Sequence, residues 1–198
     1  MNRLFAAALA SMASAVLCVP LASGATSVKV PIECSRGPSG QVHSTSVTVP
    51  AQVVSGARFV VRIDGQSSGT ISHTGLNYIH DMVTEYLVPA GTTYVAGSLR
   101  VVPGTGSANV AGTARVGKVG NVLRLTLPAH VENGGSYTPP SIEYQLEVTA
   151  PVGTKIGLPF HQVRVSANAI FIGDVDTTCV PKPQPYSLAT TTVIASPG

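Results

Sequence analysis

The sequence has no tryptophan, few charged residues and no concentrated group of basic side chains. Aromatic residues make up 5% of its 198 residues and charged residues 11%, with a formal net charge of +3. A nucleic-acid interface needs a dense basic patch, and here lysine and arginine are scattered along the chain. The composition therefore argues against a nucleic acid as the partner.

Only one long apolar run is present, and it stands at the N-terminus. It covers residues 4–21, follows Arg3, and is succeeded by Ser23-Gly24-Ala25, small residues of the kind that a signal peptidase reads. A membrane anchor is the alternative, but the small residues and the cleavage site favour a secretory signal over residues 1–25. Because no second run of about 20 apolar residues follows, the exported part is not expected to span a membrane.

Cysteine is scarce, and its placement fits export. Cys18 lies within the predicted signal, which leaves Cys34 and Cys179 near the two ends of the exported chain. An even pair in an oxidising compartment predicts a disulfide. In the chain-entropy model, closing so long a loop stabilises the fold by about 3–5 kcal/mol. Two free thiols or a redox pair are the alternative, although neither cysteine belongs to a C-x-x-C motif.

Apolar and polar residues alternate repeatedly, as they do in half-buried strands, and no helical period is sustained. The predicted inward sets are Phe59, Val61 and Ile63; Leu123, Leu125 and Leu127; Ile142, Tyr144, Leu146 and Val148; and Val163, Val165, Ala167, Ala169 and Phe171. Weaker strands are predicted at 28–32, 42–49, 82–88, 94–102 and 108–116. A short helical turn within 76–82 is the one helical element that the pattern allows.

Glycine- and proline-rich turns separate these strands, which is typical of a sandwich or barrel. We therefore predict an all-β fold: a single immunoglobulin-like antiparallel β-sandwich with one disulfide over residues 26–180, preceded by the signal peptide. Residues 181–198 are predicted to be a proline-rich linker and a β-prone tail. That tail would add an edge strand or remain mobile.

Four segments of the exported chain carry a family resemblance. They are Val30-Pro31-Ile32-Glu33-Cys34, Val49-Pro50-Ala51 leading through Gly56 to Phe59-Val60-Val61, Val88-Pro89-Ala90-Gly91-Thr92, and Asp174-Val175 before Cys179-Val180-Pro181. Together they resemble small secreted actinobacterial proteins with an immunoglobulin-like β-sandwich, over residues 30–183. The resemblance implies that fold, the paired cysteines and an envelope or extracellular setting, and it implies no catalytic residue.

Two patterns suggest hydrolytic chemistry only superficially. Gly65-Gln66-Ser67-Ser68-Gly69 matches the G-x-S-x-G pattern, which needs a strand before the serine and a helix after it. Residues 70–75 show no helical pattern, so a polar loop explains the match better.

Glu143 and Glu147 share a strand face at a separation of about 13 Å, which exceeds both carboxylate separations that glycosidases use. They are interpreted as a solvated outer face.

Histidines, aspartates and tyrosines supply the remaining candidates. The histidines are His43, His73, His80, His130 and His161, and the candidate tyrosines for a sugar platform are Tyr78, Tyr86, Tyr137 and Tyr186. No histidine has a metal-ligand spacing, and His80-Asp81 is the closest local pair. Asp174 and Asp176 are a candidate calcium pair with too few carboxylates nearby. We expect no metal and no cofactor, unless folding brings these groups together.

Lack of a catalytic motif, low charge and an extended tail favour a non-catalytic binding or structural module. We expect it to be secreted or associated with the cell envelope, with an envelope protein, glycan or lipid as its partner. The ligand-binding residues are not apparent from the sequence. A carrier of an apolar ligand such as a lipid is the first alternative and would need a continuous apolar cavity. A carbohydrate-binding module is the second.

Overall fold

The computed structural model of the chain describes residues 23–37, 39–128 and 130–197. The predicted signal peptide lies outside the described residues except for Ser23, Gly24 and Ala25, which begin the first strand. Within the described ranges, no helix is long and apolar enough to cross a membrane.

Strands dominate the described part of the chain. They are β1 (Ser23–Cys34), β2 (Gln41–Pro50), β3 (Gln52–Val54), β4 (Arg58–Gly65), β5 (Leu76–Leu87), β6 (Thr92–Tyr94), β7 (Arg100–Val101), β8 (Arg115–Val119), β9 (Val122–Leu127), β10 (Val131–Glu132), β11 (Ile142–Val148), β12 (Lys155–Ala169), β13 (Gly173–Pro181) and β14 (Tyr186–Ile194), with one helical turn, α1 (Ala108–Ala111). The predicted all-β class is confirmed.

The strands form a curled sheet whose two halves face each other. The hydrogen-bonding order is β6-β11-β4-β2-β1-β13-β12-β5-β9-β8. Side chains from both halves pack into one buried cluster, and the ring of His43 on β2 stacks on Phe160 of β12 with 4.9 Å between centroids. The first five strands of this order are thus one layer of a sandwich and the last five the other, as predicted.

The disulfide lies where the sheet continues from one layer into the other, between β1 and β13. Cys34 and Cys179 stand opposite each other on β1 and β13, with their Cα atoms 3.9 Å apart, and form the predicted bridge. Backbone pairing continues beside it, since Ser35 donates to the carbonyl of Thr178. The covalent link and the strand pairing therefore hold the same seam.

Alternation identified the strands of the core correctly. The buried residues include Phe59, Val61 and Ile63 on β4, Leu123, Leu125 and Leu127 on β9, and Ile142, Tyr144, Leu146 and Val148 on β11. Each of these strands has one face on the core and one toward solvent, which is the condition under which a period of two appears in the sequence.

Three local predictions were wrong. Phe171 does not face the core: β12 ends at Ala169, and Phe171 lies fully exposed in the following turn at φ 69°. Residues 76–82 are strand rather than helix, with a bulge at Asp81 (φ 48°) where the register against β12 shifts. The predicted strand 108–116 begins instead as α1.

The segment 94–102, predicted as one strand, is divided between β6 and β7. The first half of β12 and all of β13 are strands that the sequence pattern did not predict. Pro159 interrupts the sequence pattern of β12, where the register against β14 is irregular. Proline is tolerated in a sheet at such irregular positions, because it has no N–H to donate.

The C-terminal tail is a strand of the sandwich. β14 pairs antiparallel with β12 and parallel with β3, the one parallel pair among the described strands. Leu188, Thr191 and Val193 are buried, at 3%, 0% and 1% exposure. Of the two alternatives for the tail, the structure therefore shows the added strand.

We expect loss of the disulfide to lower the free energy of unfolding by about 3–5 kcal/mol, because the bridge spans 145 residues of chain. The measurement is urea unfolding of the Cys34→Ser/Cys179→Ser variant against the oxidised protein. The reduced natural protein is the control and should match the variant. Equal stability of the oxidised and reduced forms would contradict a structural role for the bridge.

We expect Val193→Ala on β14 to cost on the order of 2 kcal/mol, since it removes buried methyl groups and leaves a cavity. Thr190→Ala is the matched control, because Thr190 lies on the same strand and is exposed. Urea unfolding should show a shifted midpoint for the first variant and little change for the second. If both behave alike, β14 does not contribute its buried face to the fold.

Candidate functional site

Several side chains singled out from the sequence meet at one end of the second layer. β5 pairs with β12 on one side and with β10 on the other, which places His80 opposite Ser166, and Tyr78 opposite both Asn168 and Glu132. Asn168 in turn stands opposite Asp174 on β13. We call the resulting group the polar end surface: Tyr78, His80, Asp81, His130, Glu132, Ser166, Asn168, Asp174 and Asp176.

His80 is the most constrained ionisable group of this surface. Its Nδ1 lies 2.8 Å from a carboxylate oxygen of Asp81, and its Nε2 lies 3.6 Å from one of Asp174. The hydrogen bond to Asp81 raises the pKa of His80; partial burial opposes this, and the charges of both carboxylates add to the rise. His80 is therefore protonated at a higher pH than a free histidine.

Amide and hydroxyl donors hold the carboxylates of the polar end surface in place. Asn168 Nδ2 donates to Asp174 Oδ1 over 2.8 Å, and Ser166 Oγ donates to Asp176 Oδ1 over 2.6 Å. The rings of Tyr78 and His130 lie 4.0 Å apart, centroid to centroid. These contacts order an exposed row of hydrogen-bonding groups beside an aromatic pair.

The polar partners of His80 in this surface are carboxylates. His80 contacts two carboxylates, and no hydroxyl or thiol is recorded within hydrogen-bonding distance of it among the described residues. In the same part of the chain, no group of three His, Cys, Asp or Glu side chains converges as metal ligands. The polar end surface can donate and accept hydrogen bonds, and it presents no nucleophile beside a base.

Three large apolar side chains protrude next to the polar end surface. Ile170, Phe171 and Ile172 form the turn between β12 and β13 and are 40%, 104% and 75% exposed. The N–H of Ile170 donates to the carbonyl of Gly75 over 2.7 Å, which ties this apolar tip to the neighbouring loop. The sequence does carry a signal for it: Ala169 to Ile172 are four apolar residues in succession, and a strand cannot bury successive side chains on one face.

The serine-hydrolase pattern is a loop, as expected. β4 ends at Gly65, and residues 66–73 are neither helix nor strand. Ser67 Oγ accepts a hydrogen bond from Gly69 N–H, and Ser68 Oγ from Tyr137 N–H. Both serines stabilise the loop, and the motif has no strand-to-helix elbow.

The paired glutamates and the tyrosines are also accounted for. Glu143 and Glu147 lie on the outer face of β11 and pair with Arg100 and Arg58, at 2.7 and 3.0 Å. The four tyrosines do not form one platform. Tyr86 is 4% exposed and packs edge-on against Phe160, and Tyr137 is partly buried against the core. Tyr186 donates to the carbonyl of Lys29, and Tyr78 lies in the polar end surface.

A buried carboxylate outside these sets has a structural role. Glu85 on β5 is 3% exposed; its Oε1 accepts from Arg124 and Arg164, and its Oε2 accepts from Gln162. Burial alone would raise the pKa of this carboxyl, but the hydrogen bonds from Gln162 and Arg124 and the charge of Arg164 lower it overall. Glu85 thus links β5 to β9 and to β12 through its ion pairs with Arg124 and Arg164.

Between the layers, the described residues pack into one buried cluster. A cavity of about 10 Å³, room for roughly one water, lies among His43, Thr45, Thr84 and Tyr86. Burial lowers the pKa of His43 to about 4, and its Nε2 has no hydrogen-bond partner. His43 is therefore neutral near pH 7, with its ring stacked on Phe160 at the border of the core.

A larger hollow opens at the opposite end of β13, beside the disulfide. It measures about 450 Å³, and its lining includes Pro31, Ile32, Cys34, Val42 and Lys182. Val42 is 50% exposed. We call this the disulfide hollow.

No protein-family model and no curated protein matches the chain. Among solved structures it is similar to a protein from Corynebacterium diphtheriae described as membrane anchored (14% identity, TM-score 0.37, 89% of this chain and 38% of that one). It is also similar to a cohesin module from a Clostridium perfringens family 33 glycoside hydrolase (13%, 0.34, 77% and 96%) and to BcpA, the major pilin subunit of Bacillus cereus (8%, 0.41, 85% and 49%). With TM-scores below 0.5, these likenesses assign neither a family nor an activity.

We expect the protein to lose stability between pH 7 and pH 5 through His43. The pKa of His43 is about 4 in the folded state and 6.5 in the unfolded chain, so the unfolded chain alone takes up this proton as the pH falls. The loss should reach about 2 kcal/mol at pH 5. Urea unfolding at both pH values checks this: His43→Gln should remove that part of the loss, and His161→Gln should not. An unchanged loss in His43→Gln would contradict the assignment.

Proposed function

We propose that this protein is a non-catalytic binding or structural module of the extracellular space or the cell envelope. The observation that carries the proposal is the polar end surface: ordered carboxylates, amides and rings displayed at one end of a filled sandwich. Hydrogen-bonding groups already held by their neighbours lose little freedom on binding, which favours recognition of a partner.

Export is supported by the cysteines. Cys34 and Cys179 are bonded to each other, and such bonds form and persist in oxidising compartments. The predicted signal over residues 1–25 supplies the route, and the family resemblance points the same way.

A surface role is favoured over a carrier role by the state of the interior. Pockets for small molecules measure roughly 300–1,000 Å³, whereas the cavity between the layers measures about 10 Å³. A lipid chain would have to displace core residues such as Tyr144 and Leu146, which are 1% and 0% exposed. Binding at the surface requires no such displacement.

We expect the purified protein to cosediment with isolated envelopes of the cell that produces it. Tyr78→Ala/Asp174→Asn should weaken this binding about tenfold, because contacts at a hot spot are worth 1.4 kcal/mol or more. Glu147→Gln is the matched control, since it also converts a carboxylate to an amide, on a β11 side chain that is 42% exposed. The readout is the bound fraction against protein concentration.

Two outcomes would overturn the proposal. One is a protein that does not bind envelopes at any concentration tested, or whose binding is equally weakened by the control. The other is turnover of an ester, glycoside or peptide substrate that His80→Ala abolishes in an otherwise folded protein, which would make the polar end surface an active site.

A further inference from the structure

The apolar tip is the most exposed hydrophobic feature among the described residues. Phe171 is 104% exposed and Ile172 75%, and adjacent exposed groups of this size mark an interaction site. Phe171 also holds a positive φ of 69°, which a bulky residue rarely adopts. The turn therefore holds its aromatic ring out from the sheet rather than over it.

The charges around the apolar tip favour a protein with a basic rim as the occupant. Asp174 and Asp176 follow the tip on β13, and Asp81 lies beside His80 on β5. These carboxylates would be repelled by the anionic lipids of a membrane surface. A partner that receives the tip needs an apolar recess bordered by cations.

The chain itself offers such a recess at the other end of β13. The disulfide hollow presents Pro31, Ile32 and Val42. Its charged lining residues are Lys182 and Glu33, and Arg36 lies in the adjoining loop, so two cations and one carboxylate surround it. Lys182 pairs with Glu33 at 2.8 Å, but both side chains are well exposed. An exposed pair of this kind is weak and exchanges partners readily.

Tip and hollow are separated by the length of β13, roughly 26 Å at about 3.3 Å per residue. No tip can therefore reach the hollow of its own chain. We propose that the apolar tip of one copy inserts into the disulfide hollow of a second copy, with Asp174 and Asp176 approaching Lys182 and Arg36. The two contact surfaces differ, so the contact is head-to-tail and each copy retains a free tip and a free hollow.

This inference rests on the proposed function, since it names a second copy of the chain as one partner of the module. A single turn offers a small contact area, so we expect weak association, with a Kd between about 10 μM and 1 mM. Sedimentation velocity from about 1 μM to 1 mM should show open-ended oligomers that lengthen with concentration.

Two variants separate the two halves of the contact. Phe171→Asn removes the apolar ring and keeps a residue that tolerates positive φ. Val42→Glu places a carboxylate in the hollow, where it repels the aspartates of an incoming tip. Each variant alone should be monomeric at 1 mM. An equimolar mixture should give a dimer and nothing longer, because only one intact tip and one intact hollow remain.

Val119→Ser, at another exposed valine (61%) on β8, is the control and should associate like the natural protein. The inference is overturned if the protein is monomeric at 1 mM, if Val42→Glu associates normally, or if the mixed variants do not pair. It is also overturned if the tip instead binds zwitterionic vesicles in a way that Phe171→Asn abolishes. If the protein is monomeric and still binds envelopes, the self-association is contradicted and the proposed function is not.

Discussion

The seam between β1 and β13 is the constraint on which the rest of the sandwich depends. It joins the first strand to the last but one, because Cys34 and Cys179 are paired there by backbone register and by their own bond. β1 then pairs along β2, and β13 along β12, so each layer is built outward from this seam. With few charges to pair, the described part of the chain gains its order from this closure and from its buried apolar cluster.

β14 supplies a second connection between the layers. It lies antiparallel to β12 in one layer and parallel to β3, which follows β2 of the other. A parallel pair needs a long crossover, and the whole domain between β3 and β14 serves as that crossover here. The segment after the prolines is consequently part of the packed structure, with Val193 in the core.

The sequence was sufficient to predict the strands that bury one face. It was not sufficient to predict which strands lie side by side, or which residues they bring together. Strands such as β9 and β11 bury one face, and their alternation is visible without a structure. β13 alternates only briefly: Asp174 and Asp176 lie on one face, but Val175 on the other face is followed by the polar Thr177, so no apolar set is apparent from the sequence. His80, His130 and Asp174 could be noted singly, but only the pairing of β5 with β10 and β12 shows that they meet.

The two ends of β13 carry the apolar tip and the disulfide hollow, both at the surface of the protein. At one end the tight turn itself consists of Ile170, Phe171 and Ile172, so the chain reverses before Phe171 can be buried and leaves it near Asp174. At the other end the disulfide fixes the strand against β1, and the next loop leaves a hollow bordered by Lys182. The two ends of this strand present different surfaces, which makes the molecule directional along the strand. Neither end can fold inward, because the packed core leaves no room for it, so both surfaces stay exposed.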